Sequence, residues 1–157
     1  MIDKRGRDLV SHNKQDVCIF CDIAGLRIPS HGVYEDDTMY AFLDIHPIRP
    51  GHVQIIPRQH YSYFDEMPEY LASRIVILGQ RLAAVLKRMY AVPRVGFMFT
   101  GGDVAHCHAH VVPLVEGTDI TSRRYIAEER VTFRNTPRQP DSELKQIAQS
   151  IRGSLAG

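Results

Sequence analysis

Apolar and polar positions alternate in short runs up to residue 57, take up a helical period after residue 67, and return to short runs near residue 94. "HGVYEDD" and "TMYAFLDI" read as two short strands with "EDDT" turning between them. "HPIRPG" is a breaker loop with two prolines and a glycine, and "HVQIIP" follows as a β-branched strand. From Met67 to about Tyr90, Leu71, Ile75, Leu78, Leu82, Val85 and Met89 recur at steps of three and four, which predicts a long helix with one apolar face. Pro68 suits its first turn, and Gly79 inside it is either a place of close approach or a tolerated defect. "VGFMFT" is a further strand, "GGD" a turn, and "HCHAHVVPL" the last strand; "PDSELKQIAQSIRGSL" reads as an amphipathic helix started by Pro140 and Asp141.

Consecutive strands on short turns, one long helix and a late helix predict an α+β domain: an antiparallel sheet with helices on one side. Residues 1–17 read as a lead-in, 18–115 as the domain, and 116–157 as a polar, arginine-rich extension ending in a helix packed on the domain. A chain of 157 residues can bury a core, and a net charge of +1 offers no electrostatic case for nucleic acid or an anionic membrane as partner. No apolar run approaches a membrane span and the start lacks the apolar stretch of a signal peptide, so a cytoplasmic setting is expected.

The chemistry concentrates in "HCHAH", where three of the eight histidines fall within five residues. In a strand His106, His108 and His110 share one face, while Cys107 and Ala109 face the other, where the long helix would pack. His106 and His110 would then stand about 13 Å apart along a regular strand, too far to share one ion. The three histidines should therefore divide their work; the plain alternative is a polar, solvated sheet face. For His106 the candidates are Cys18 and Cys21 in "CIFC" and His60 in "PRQH", a Cys2His2 set of the kind that closes around structural zinc. A C-x-x-C pair also serves redox chemistry, which fits less well because no helix is evident at Cys18 to lower a thiol pKa. His108 and His110 have the residue type for a nucleophile and a neighbour that donates to charge developing on a phosphoryl group.

These residues resemble a known family. "HCHAHVV" matches the His-φ-His-φ-His-φ-φ signature of the histidine triad (HIT) family, and the resemblance runs through "CIFCDIAG" and "IPSHGVYEDDTMYAFLDIHPIRPGHVQIIPRQH", from about Cys18 to Pro113. The resemblance implies a five-stranded antiparallel sheet, a homodimer, and hydrolysis or transfer at the α-phosphate of a nucleotide. It implies His108 as the nucleophile that forms a nucleotidyl-histidine, His110 as the phosphate contact that helps the leaving group, and His52 as a supporting histidine. It places Asp44 on the ribose hydroxyls and Phe20, Ile23 and Ile45 at the base. It also implies structural zinc on Cys18, Cys21, His60 and His106. The first substrate class implied is a dinucleoside polyphosphate and the second a nucleoside phosphoramidate; the rivals are a nucleotidyl transferase and a nucleotide-binding module without turnover.

The turn before the triad departs from the family pattern of a glycine-glutamine pair followed by serine or threonine, with an asparagine upstream. Here Gly101 and Gly102 replace the pair, Asp103 stands at the hydroxyl position, and Thr100 is the nearest substitute for the asparagine. A carboxylate beside a phosphate is repulsive, so Asp103 turns away, meets a cation, or shifts the phosphate. The Gly101 and Gly102 N–H groups offer either a small anion nest or simply a tight turn. Arg123 and Arg124 read as a solvated charge pair, with polyphosphate contact as the alternative.

Overall fold

A computed structural model of the chain describes residues 18–101, 104–116 and 136–156. Five strands form one antiparallel sheet: β1 (Gly32–Glu35), β2 (Met39–Leu43), β3 (Val53–Pro57), β4 (Arg94–Thr100) and β5 (His108–Leu114), in the order β1-β2-β3-β5-β4. Short loops join β1 to β2, β2 to β3 and β4 to β5, whereas β3 reaches β4, which runs parallel to it on the far side of β5, through a helical crossover. Every residue of β2 and β3 is buried, so both faces of the sheet centre are covered.

The long helix α2 (Glu69–Tyr90) buries Leu71, Ile75, Leu78, Leu82, Val85 and Leu86 on one sheet face. There they meet Val53, Ile55, Cys107, Ala109 and Val111 in the main core. Burying such a side chain stabilises the fold by about 1.5–3 kcal/mol. Gly79 lies at a close approach: a Cβ there would run into the Phe97 ring of β4. The late helix, α3 (Asp141–Ala156), adds Leu144, Ala148 and Ile151 to the same core.

The structure corrects the sequence reading in three places. The chain has a six-residue helix, α1 (Ile19–Ala24), with Cys18 at its head, where no helix was evident; six residues are too few for a period to show. Helices therefore lie on both sheet faces, because α1 carries Phe20, Ile23 and Ala24 onto Tyr40, Phe42 and Ile56 of the opposite face. Strand β5 begins at His108, so His106 and Cys107 lie on a bend before it. Among the described residues no helix is long and apolar enough to cross a membrane.

Candidate functional site

The bend before β5 resolves the spacing problem of the three histidines. The His106 N–H donates to the Val104 carbonyl (2.8 Å) and the Cys107 N–H to the Tyr61 carbonyl (2.6 Å), which turns the chain out of strand geometry. His106 then faces α1. Its Nδ1 lies 3.4 Å from Cys18 Sγ and 3.5 Å from Cys21 Sγ, and His60 Nδ1 lies 3.3 Å from Cys21 Sγ. All four ligand atoms lie within 4.8 Å of one another. Zn–S bonds of about 2.3 Å and Zn–N bonds of about 2.0–2.1 Å at a tetrahedral angle put sulfur and nitrogen about 3.6 Å apart, so the donor set matches a closed site in both element and span.

The imidazole of His106 is also oriented for ligation. Its Nε2–H donates to the Pro57 carbonyl (3.0 Å), which leaves Nδ1 with a lone pair toward the cysteines. Burial pushes His106 down to about 4, with His60 and His108 adding to the effect against the Pro57 carbonyl. Burial and the neighbouring Cys18 push the Cys21 thiol up to about 11; a dication among the four atoms would reverse that and hold both thiolates. His60 Nε2 is buried and has no hydrogen-bond partner among the described residues.

His108 and His110 share one face of β5, opposite Thr100 and Met98 of β4 respectively. Backbone anchors at two ends determine every proton in the cluster. The His108 Nδ1–H donates to the His106 carbonyl (2.7 Å), so the lone pair sits on Nε2. At the far end the Ile48 N–H donates to His52 Nδ1 (3.3 Å). His52 Nε2–H therefore donates to His110 Nδ1 (2.8 Å), and His110 carries its remaining proton on Nε2. That proton goes to Thr100 Oγ1 (2.8 Å), and the hydroxyl is left to donate to His108 Nε2 (3.3 Å). The arrangement presents a bare nitrogen and an N–H to the same point, where Thr100 now sits.

The surroundings hold that pattern. His52 is 2% exposed, and burial keeps its imidazole below the ordinary value, against the pull of Asp44 and with that of His108. Asp44 Oδ1 accepts the His46 N–H (2.7 Å), and Oδ2 accepts Gln54 Nε2–H (2.6 Å) while lying 3.5 Å from His52 Nδ1. The Phe20 ring stands edge-on to His108 at 5.1 Å between centroids.

The structure thus gathers Thr100, His108, His110, His52 and Asp44 into one cluster, with Phe20 against it, and Cys18, Cys21, His60 and His106 into another. Ile23 lies in the small core under α1, and Ile45 is 41% exposed on the loop after Asp44. Gly102, Asp103, Arg123 and Arg124 lie outside the described residues. Sequence reasoning missed Gln54, which is 9% exposed, sits opposite His110 in the β3–β5 register and holds Asp44. Its signal was a lone polar side chain in the apolar run "VQIIP".

Comparison with known proteins agrees with this geometry. The HIT domain model matches residues 26–117. A HIT-like protein of Methanocaldococcus jannaschii is 37% identical over 105 residues, 64% of this chain and 81% of that one. An adenosine 5′-monophosphoramidase of Saccharomyces cerevisiae is 35% identical over 97 residues, 61% of each chain. Among solved structures, a zinc-bound histidine triad family protein of Mycobacterium smegmatis is similar with a TM-score of 0.70 and 26% identity, over 90% of this chain and 95% of that one. A Hit-like protein of Bartonella henselae is similar with a TM-score of 0.73 and 25% identity, over 88% and 96%.

Proposed function

The chain belongs to the HIT family, and from that premise we propose that it is a hydrolase of nucleotide phosphoanhydride or phosphoramidate bonds, acting at the α-phosphate through a nucleotidyl-His108 intermediate. One observation carries the reading: the lone pair of His108 Nε2 and the proton of His110 Nε2 converge on a single hydroxyl, that of Thr100. A phosphoryl group at that point meets a nucleophile and a proton donor together.

The steps follow from those protons. His108 Nε2 attacks the α-phosphorus; the new N–P bond forms as the bond to the leaving group breaks. His110 Nε2–H donates a hydrogen bond to the departing amine or polyphosphate oxygen as charge gathers there, and the departing group takes the proton it needs from solvent. Water then attacks the same phosphorus, the N–P bond breaks, its electron pair returns to His108 Nε2, and the proton lost by water passes to solvent. The His106 carbonyl stabilises the positive charge that His108 gains as it bonds phosphorus, by holding Nδ1–H. His52 keeps His110 in the donating tautomer. Asp44 receives the ribose hydroxyls, and Phe20, Ile23 and Ile45 border the base. Support for this substrate class comes from the similar yeast protein, whose name is that of an adenosine 5′-monophosphoramidase.

Cys18, Cys21, His60 and His106 hold structural zinc, a reading supported by the matching donor distances and by the zinc-bound relative. A zinc ion held by these four side chains would tie α1 to the bend, a structural role rather than the activation of water. A reducing, cytoplasmic setting keeps both thiols free for it. A second copy pairs along β4, one of the two outer strands of the sheet, beside which Tyr63, Phe64 and Phe97 are exposed.

The test is a quenched reaction of the protein with adenosine 5′-monophosphoramidate and with diadenosine tetraphosphate, analysed by mass spectrometry. Wild type turns over one of them and shows an AMP adduct on His108; His108→Ala gives neither. Turnover unchanged in His108→Ala would overturn the nucleophile assignment. Tight AMP binding with no turnover of either compound would leave a binding module instead.

A further inference from the structure

The HIT match stops at residue 117, yet the chain beyond it returns to the edge of the site. The Gln139 N–H donates to the Ile45 carbonyl (2.9 Å). The Thr136 hydroxyl donates to the His46 carbonyl (2.8 Å), and His46 Nδ1–H donates back to the Thr136 carbonyl (3.1 Å). Residues 90 positions apart are thus joined by two reciprocal hydrogen bonds, with a third beside them.

The gripped loop is the one that matters for the site. The His46 N–H holds Asp44 Oδ1, and the Ile48 N–H sets the tautomer of His52. Ile45 and Ile48 are each 41% exposed and His46 is exposed, so burial does little to order this stretch. The other end of the grip is rigid. Helix α3 starts at Asp141, two residues beyond Gln139, and buries Leu144 and Ile151 in the main core. The Asp141 carboxylate is held by Arg138 (2.9 Å) and His31 (3.2 Å), and Pro137 and Pro140 restrict the backbone between. A loop ordered during folding loses no further entropy when a ligand arrives, and the gain appears in affinity.

We propose that residues 136–140 are a positioning strut for the nucleoside end of the substrate, transmitting the fixed position of α3 to the Asp44–Ile48 loop. The proposal rests on Asp44 as the ribose acceptor. It assigns to the extension a role in binding, with the chemistry left to His108 and His110.

Thr136→Val and His46→Ala each delete one hydrogen bond at an exposed position and leave the core intact. Three quantities are measured in the full chain: amide exchange at His46 and Ile48, Kd for AMP, and kcat for adenosine 5′-monophosphoramidate. Each deletion, worth about 1 kcal/mol, raises Kd for AMP about fivefold and speeds exchange at both amides, while kcat falls by less than Kd rises. Ile75→Val, a core change on α2 rather than on the helix that anchors the strut, lowers Tm without moving Kd. Unchanged exchange in both variants overturns the strut, as does faster exchange with an unchanged Kd, or an equal rise of Kd in Ile75→Val. If wild type fails to bind AMP, the nucleotide reading falls and the nucleoside role with it, whereas amide exchange still decides whether the strut orders the loop.

Discussion

Removing the metal is expected to lower stability by an amount that the Cys18–Cys21–His60–His106 geometry allows to be worked out. The sulfur–nitrogen separations of 3.3–3.5 Å stand close to the about 3.6 Å of a tetrahedral zinc site, so the folded chain needs little rearrangement to bind. The unfolded chain has no such cluster, because Cys21 and His106 are 85 positions apart. Binding energy is therefore stability: at a free zinc concentration one hundred times Kd the gain is about 2.7 kcal/mol. For a chain of this size about 1 kcal/mol moves Tm by about 2–4 °C, so zinc should raise Tm by about 5–11 °C. Thermal unfolding is followed with zinc, with chelator, and in Cys21→Ser under both conditions, beside elemental analysis of the purified protein. Wild type and Cys21→Ser should differ with zinc and draw together with chelator. A metal-free wild type whose Tm ignores both zinc and chelator would refute the assignment.

The cluster around His108 makes three further expectations. Burial lowers the His52 pKa, so the neutral form that orients His110 is present above about 6.5 and is lost as pH falls through the depressed folded value; kcat/KM should fall on that acid limb, later in His52→Gln, and stability has the same sign because the unfolded chain binds that proton first. Gly51→Ala should cost about 1–3 kcal/mol in denaturant unfolding and reduce turnover, because Gly51 has a φ of +89° and a Cβ there would overlap the Tyr90 ring beneath the loop that leads into His52. Phe97→Lys should shift sedimentation from dimer to monomer if β4 pairs with a second copy, and an unchanged sedimentation coefficient would count against that edge.

Much of the fold was legible because its signals are local. The apolar spacing from Leu71 to Val85 defines α2 without knowledge of what it packs on, and Pro140–Asp141 marks the start of α3. The small side chains Cys107 and Ala109 correctly pointed to the face that α2 covers. Helix α1 was not legible, since its six residues are held by contacts with Tyr40, Phe42 and Ile56 rather than by any pattern of their own. The bend at His106 was also invisible, because the alternation in "HCHAH" is continuous while the hydrogen bond that breaks the strand comes from Tyr61.

From the amino-acid order alone came the residue types, the family resemblance and the expectation that the three histidines divide their work, since on a regular strand with a rise of about 3.3 Å per residue one shared ion would be strained. Tertiary structure alone decided which nitrogen of each histidine bears a proton. That depends on Ile48 N–H reaching His52, on His52 reaching His110 across 58 positions, and on His106 offering its carbonyl to His108. Tertiary structure also brought Thr136 to His46. A sequence specifies which donors and acceptors exist; hydrogen bonds have short range and strict direction, so only the folded chain determines which of them meet.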